Sequence, residues 1–437
     1  MASTAQIIAG ADHDALTGLA SAAAARRLLD AWAEATASDD TPVFAMLIGL
    51  QRLQGINHAY GRPVGDVALA EVARRIRQFA SQELDGHWLA ARIGGGDFLL
   101  ATRSPCSRAK WQWLAHALAD IIARPLGTAG ATLRLAPRIA LLHAVEPQAS
   151  ERLLDSLSQA LAAARSQPGR RLQWADGRQS TRGRSAAAME ADLLRAIDAN
   201  EISVLFQPQF AAGSGLLVGA EALARWDHPV LGRLGAPTLF AVTERADHTV
   251  QLSRHIASRA LALAGQWPAE RGLRLSLNLA AADLAADSFV KSISDAIERG
   301  GMAPTRLTLE VTEQALLVDL ECAADAFSEL SRAGVRIALD DFGTGFSNFW
   351  YLKNLPLDYL KLDHSLTDDV LVAPRDRAIL RAIVGMARAL DLEVVAEGVE
   401  SEEQLAMLAA EGCDYFQGFV RAGPLSHDDF LRFASTN

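Results

Sequence analysis

The sequence predicts an α/β protein of two domains. The first is an N-terminal α+β domain around one antiparallel sheet. The second is a C-terminal (β/α)8 barrel with one strand running against the others. Three observations predict this. The chain has 437 residues, more than one hydrophobic core commonly serves. Over about the last 250 residues short apolar runs alternate with amphipathic stretches, the pattern of a barrel. Before them the order is helix, strand, helix, hairpin, helix, strand, which suits an antiparallel sheet flanked by helices.

In the first half, Asp14-Ala-Leu-Thr-Gly-Leu19 opens an Ala-rich stretch with Leu28, Leu29 and Trp32 on one helical stripe. Val43-Phe-Ala-Met-Leu-Ile48 reads as an apolar strand. Polar residues 51–65 lead to Asp66 and an amphipathic helix through Phe79. Residues 88–93 and 98–100 read as strands around the turn Gly94-Gly-Gly-Asp97, a hairpin. A helix at about 107–123, a strand at about 132–143 and a helix at about 150–165 complete the domain. The polar, glycine-containing stretch 175–185 reads as a linker. Ser185 is placed to cap a helix carrying Met189, Leu193, Leu194 and Ile197. The boundary is set near residue 184, giving domains 1–184 and 185–437.

In the second half, strands are expected at 202–206, 218–225, 274–279, 307–311, 335–339, 359–362, 393–396 and 414–418. The first two are joined through Gly213-Ser-Gly215, a gap too short for a crossover helix, so one strand is expected to be antiparallel. At or near the strand ends stand Gln207, Glu221, Asn278, Glu310, Asp340 with Asp341, Lys361, Glu397 and Gln417. A barrel gathers such residues on one rim, where active sites are built. Adjacent Asp340 and Asp341 repel each other unless a cation sits between them. Gly343 and Gly345 follow in a loop free to take unusual dihedrals. Oxygen donors without His or Cys suit Mg²⁺ or Mn²⁺ better than zinc.

A net charge of −10 argues against a nucleic-acid binder. The pairs Arg170-Arg171 and Arg182, Arg184 read as solvated positions. Cys106, Cys322 and Cys413 are scattered, which excludes a disulfide framework and fits a reducing cytoplasm. No apolar stretch of about 18 residues occurs, so a cytoplasmic protein without a membrane span is expected.

The first half resembles the GGDEF domain of diguanylate cyclases over most of residues 11–175. The resemblance rests on Asp14-x-Leu-Thr-Gly-Leu19, Asn57, Tyr60-Gly61, Gly65-Asp66 and Arg92-x-Gly-Gly-Gly-Asp-Phe98. It departs where the family carries acids: Gly49 and Gln51 stand on the first strand, and Gly96 with Asp97 in the signature turn. Gln54 stands for the usual lysine. Metal-held carboxylates are needed for the phosphoryl transfer, so no cyclase activity is expected. The resemblance assigns Asn57 and Asp66 to guanine contact. A regulatory GTP-binding domain and a scaffold that binds nothing both remain open. Asp85-Gly-His-Trp88 offers no Arg-x-x-Asp for product inhibition.

The second half resembles the EAL family of cyclic di-GMP phosphodiesterases over 186–437. The carriers are Gln207-Pro208, Glu221-Ala-Leu-Ala-Arg225, Asn278-Leu-Ala, Glu310-Val-Thr-Glu313, Asp340-Asp-Phe-Gly-Thr-Gly-Phe-Ser347, Lys361-Leu-Asp363, Glu397-Gly-Val-Glu400 and Gln417-Gly-Phe419. The resemblance implies hydrolysis of cyclic di-GMP to linear pGpG with two Mg²⁺ or Mn²⁺ ions. Glu221, Asn278, Glu310 and Asp340 are implied for one ion; Asp340, Asp341 and Glu397 for the other. Lys361 is implied to orient the attacking water, and Arg225 and Gln207 to contact substrate. Glu313 is implied to anchor the loop after Asp341, and Glu400 and Gln417 to support the site, Gln417 also on the substrate side. His228-Pro229 reads as a turn, not a metal site. EAL domains often pair, which implies a homodimer. The alternatives are a receptor that binds cyclic di-GMP without cutting it, and an interaction scaffold.

Overall fold

A computed structural model describes residues 12–36, 41–51, 53–84, 86–104, 106–128, 131–146, 148–166, 171–176, 186–246, 248–316, 320–342, 349–367, 370–371 and 374–436. The Gly343–Asn348 loop, most of the expected linker, its Ser185 cap and the boundary near 184 lie outside these residues. Two compact units are present. One is drawn from Met1–Leu194 with Asp227–Val242, the other from Arg195–Trp226 with Thr243–Asn437.

The first unit holds strands β1 (Ala20–Ser21), β2 (Val43–Gln51), β3 (Trp88–Gly94), β4 (Asp97–Thr102), β5 (Leu126–Thr128), β6 (Ala131–Leu133), β7 (Ala136–Ala144) and β8 (Leu172–Trp174). Its main sheet runs β1-β3-β4-β2-β7-β8. The four central strands are antiparallel, as expected, and the short edges β1 and β8 pair parallel. Central β2 is apolar from Val43 to Leu50 because both its faces are covered. Ala45 and Leu47 join a core with Leu29 and Trp32 of the helix Ala22–Thr36 and Leu157 and Leu161 of the helix Ser150–Ser166. Alternate residues point the other way, and there Phe44 packs on Trp111 with ring centroids 5.8 Å apart. The Trp111 indole donates to Ala45 O at 3.2 Å, so its buried N–H is satisfied. β5 and β6 form a separate hairpin that the sequence reading did not anticipate, and β7 begins later than the strand expected there.

The second unit contains the closed barrel. Its strands are β9 (Ile202–Ala211), β10 (Leu217–His228), β12 (Arg274–Asn278), β13 (Leu307–Thr312), β14 (Arg336–Phe342), β15 (Tyr359–Leu362), β16 (Glu393–Ala396) and β17 (Tyr415–Phe416); the short β11 (Gly232–Gly235) lies between β10 and β12 in sequence. Neighbours pair in the order β10-β12-β13-β14-β15-β16-β17-β9, and β9 pairs back to β10. All contacts are parallel except those of β9, which is antiparallel to both neighbours. The reversed strand is therefore the first, as the short Gly213–Gly215 connection demands. Outside pack amphipathic helices such as Phe289–Gly300, whose Phe289, Ile293, Ala296 and Ile297 face inward and whose end is capped by Gly301 at φ 67°. Burying each large side chain of this kind contributes roughly 1.5–3 kcal/mol. Strands and helices share one continuous core from Val204 to Ala434.

Candidate active site

Lys361 lies third in β15, with only 1% of its surface exposed. Its Nζ stands 2.5 Å from Glu310 Oε2, 2.6 Å from Glu397 Oε1, 3.2 Å from Asp340 Oδ1 and 3.9 Å from Glu221 Oε2. Four carboxylates from four strands or strand ends thus converge on one ammonium. Their approach is prepared by the backbone of β14. The β14–β15 register slips between Leu339 and Phe342, so Asp340 and Asp341 together oppose the single Lys361. This is a β-bulge, the device that re-aims side chains next to sites. Asp341 carries the left-handed backbone, φ 56°, a conformation that Asp tolerates better than most residues. Its N–H donates to Asp340 Oδ1 at 2.9 Å, which fixes the first carboxylate. Asp341 itself is buried.

Glu221 lies midway along β10, opposite Gln207 of β9. Asn278 ends β12 and donates through Nδ2 to Glu221 Oε1 at 2.6 Å. Gln417, just past β17, donates through Nε2 to Glu221 Oε2 at 2.7 Å. Both carboxylate oxygens are therefore held by amides. Gln417, expected to support the site on the substrate side, thus holds Glu221. Gln207 is half-buried and stands within β9, not at its end, because β9 continues past Pro208 to Ala211. Arg225 is buried near the end of β10 and donates to Ala224 O at 2.9 Å. Glu313 starts the short helix Glu313–Leu316, and the loop it was expected to anchor lies outside the described residues. Glu400 is exposed, and its N–H donates to Gln404 Oε1 at 2.9 Å. His228 accepts at Nδ1 from the N–H groups of Val230 and Leu231, the geometry of a turn. One polar residue passed unnoticed in the sequence: Gln209, buried two positions after Gln207, bonds to Gln417. Strand alternation would have placed it on the same face as Gln207.

The electrostatics follow from burial and crowding. Burial, and then the charges of Glu221 and Asp340, push the Glu310 carboxyl up to about 8 against the pull of Lys361. Burial, with the charges of Asp340, Glu221 and Glu310, also raises Glu397 well above the carboxylate range. Burial would lower the Lys361 ammonium, but Asp340, Glu221, Glu310 and Glu397 hold it well above its ordinary value. The site is short of positive charge: one cation faces four carboxylates. Among the described residues no three acidic or imidazole side chains stand close enough to form an ion cage as they are. The Lys361 ammonium occupies the point where they meet. The oxygen donors around it are of the kind that suits the hard divalent ions Mg²⁺ and Mn²⁺.

In the first unit Asn57 lies on the helix Leu53–Tyr60 and Asp66 on the helix Arg62–Glu83, where Asp66 is exposed. Asn57 Oδ1 is buried without a hydrogen-bond partner and packs against Gly65, where a Cβ would collide with it. Gly49 of β2 pairs with Asp97 of β4. A Cβ on Gly49 would run into the guanidinium of Arg165, which is itself ion-paired with Asp97. Of Gly49 and Gly96, the positions expected to bring no metal ligand, the first thus lies under an arginine that is paired with the retained Asp97.

The EAL domain family model matches residues 190–424, and that of the diguanylate cyclase GGDEF domain matches residues 11–171. The chain is 30% identical over 431 residues to the bifunctional diguanylate cyclase/cyclic di-GMP phosphodiesterase MucR of Pseudomonas aeruginosa, covering 98% of this chain and 62% of that protein. It is 32% identical over 433 residues to the cyclic di-GMP phosphodiesterase NbdA of the same organism, covering 97% of this chain and 54% of NbdA. The chain therefore spans only part of the length of these relatives. Among solved structures, the PaMucR phosphodiesterase in complex with c-di-GMP aligns with a TM-score of 0.52 at 34% identity, over 55% of this chain and 98% of that one. The chain belongs to the EAL family, with a GGDEF domain in tandem on its N-terminal side.

Proposed function

We propose that the protein is a metal-dependent phosphodiesterase that opens cyclic di-GMP to linear pGpG. The observation that carries the reading is the convergence of Glu221, Glu310, Asp340 and Glu397 on Lys361 at a bulge bearing Asp341. Further support comes from the relatives named as cyclic di-GMP phosphodiesterases. An anionic phosphodiester cannot approach such a rim unless cations overcompensate its charge. Glu221, Asn278, Glu310 and Asp340 would hold one divalent ion, and Asp340, Asp341 and Glu397 a second. When bound, two Mg²⁺ or Mn²⁺ ions would polarise the phosphodiester and lower the pKa of the attacking water.

The chain's own residues do the rest. Lys361 gives way from the meeting point and keeps its charge for the phosphate oxygens as negative charge builds on them. Gln207 contacts the substrate from β9, and Arg225 offers its planar guanidinium to a phosphate. Glu313, Glu400 and Gln417 support this arrangement. Domains 1–184 and 185–437 divide the labour: the first, without cyclase activity, receives GTP through Asn57 and Asp66 as a regulator, and the second carries out hydrolysis as a homodimer.

The test is incubation of the purified chain with cyclic di-GMP and either metal, followed by chromatography. Release of pGpG is expected, lost in Glu221→Ala and Asp341→Ala. Binding without turnover overturns the enzyme in favour of a receptor, and absence of both points to a scaffold.

A further inference from the structure

Glu221 is oriented from beyond the rim. Its Oε2 accepts from Gln417 Nε2 at 2.7 Å, Gln417 Oε1 accepts from Gln209 Nε2 at 3.0 Å, and Gln209 Oε1 lies 3.5 Å from the Ser276 hydroxyl. Glu221, Gln417, Gln209 and Ser276 are 7%, 5%, 9% and 4% exposed. Water therefore has little access to substitute for a missing link, and a buried polar group left without a partner is costly.

The polarity of the chain follows from its end, independent of how each amide is drawn. A carboxylate only accepts, so Gln417 must turn its NH₂ to Glu221 and its carbonyl to Gln209. Gln209 must then turn its own NH₂ to that carbonyl, leaving its carbonyl for a hydroxyl that can donate. Gln417, Gln209 and Ser276 are all neutral. The relay therefore fixes Glu221 without adding positive charge, and the charge deficit of the rim is kept for an incoming cation. A lysine or arginine in the same place would satisfy Glu221 and weaken its attraction for metal. Asn278 holds the other oxygen at 2.6 Å, so the rotamer of Glu221 is set from both sides.

We propose that Gln209, acting through Gln417, is a positioning residue that presents Glu221 to a divalent cation. This rests on the two-metal reading above. Outer partners of metal ligands commonly govern affinity by 10–100-fold, so loss of the relay is read in metal binding.

Mn²⁺ is titrated calorimetrically into the chelator-stripped full chain without substrate. Gln209→Met removes the donor at nearly constant volume, and Mn²⁺ is expected to bind about tenfold more weakly. Gln209→Glu faces the Gln417 carbonyl with a carboxylate, forces that amide to turn over, and is expected to weaken Mn²⁺ at least as much. The melting temperature in chelator is expected to fall modestly for both, since each leaves the buried Gln417 carbonyl without its donor, and affinity is compared at a temperature where both are folded. At saturating Mn²⁺, kcat should return to within about twofold of wild type, whereas a packing defect would persist whatever the metal. If Gln209→Met does not fold, the nearly isosteric Gln209→Glu decides alone. Wild-type Mn²⁺ affinity in the folded variants overturns the role of Gln209. Failure of the wild-type chain to take up Mn²⁺ overturns the two-metal reading itself, and this role with it.

Discussion

Lys361 is held by the carboxylates it neutralises, and its removal exposes their mutual repulsion. Breaking a buried charge cluster by deleting one partner costs about 3–5 kcal/mol. Lys361→Met is therefore expected to unfold at a distinctly lower temperature than wild type in chelator, and Mn²⁺ should recover more stability in the variant than in wild type. Its turnover should fall by roughly 10²–10³, the scale of losing one charge stabiliser of the transition state. A variant equally stable without metal would show that the ammonium is not what holds the carboxylates together. The first unit offers the opposite case at Gly49. Restoring an acid there by Gly49→Asp sets its side chain against Arg165, which already pairs with Asp97. The new carboxylate gains an arginine as partner, not a metal. No cyclic di-GMP synthesis from GTP is expected of this single variant, and detectable product in a radiolabel assay would contradict the assignment.

At the scale of elements, the barrel and its rim were legible because most strands combine a short apolar run with a polar residue at or just past the end. Asp340-Asp341 was legible as a pair, yet the bulge that lets both oppose Lys361 was not, since a register slip depends on the neighbouring strand. The first strand was expected to end at residue 206; β9 runs on through Pro208 to Ala211, so Gln209 fell outside the expected strand and the amide relay escaped notice. The β5–β6 hairpin has strands too short to show any periodicity. Arg165 over Gly49 joins a helix end to a strand more than a hundred residues earlier, a contact that no local pattern announces. Backbone crowding gives one test here. A Cβ on Gly418, next to Gln417, would run into the backbone of Val399. Gly418→Ala should cost about 1–3 kcal/mol through overpacking and reduce turnover by displacing Gln417; calorimetry and a rate assay check both. A second test concerns the short helix Ala281–Leu284 after β12. Burial raises its Asp283 to about 6 from an ordinary 3.8, while the carboxylate accepts from Ala280 N–H at 2.9 Å. A carboxyl raised on folding binds its proton more tightly in the folded state, so its unfavourable contribution grows as pH rises from about 4 to 6 and is full above that. Asp283→Asn keeps the acceptor and cannot ionise. It should stabilise the barrel at pH 7.5 by up to about 3 kcal/mol and leave it unchanged near pH 3.5. Equal denaturant midpoints for variant and wild type at both pH values would sink the argument.

Over the whole molecule, the two units differ in how metal should act on them. The barrel rim gathers oxygen donors around an undercompensated charge, whereas the Gly49 region of the first unit already carries its own arginine. A ligand that binds only the folded form of one unit raises the stability of that unit by RT ln(1 + [L]/Kd), about 2.7 kcal/mol at a hundredfold excess over Kd. Because each unit has its own core, their unfolding is expected to resolve into two calorimetric transitions, with no single midpoint describing both. Mn²⁺ should raise the transition assigned to the barrel and leave the other in place. The assignment is checked with Asp341→Ala, which removes a proposed ligand of one ion and should lose most of the shift. GTP without metal tests the other unit in the same scan: a rise confined to the second transition and absent in Asp66→Ala would place the nucleotide at Asn57 and Asp66. If Mn²⁺ moves both transitions equally, the metal is acting on the surface generally, and the separation of roles between an arginine-filled site and a metal-seeking rim does not hold.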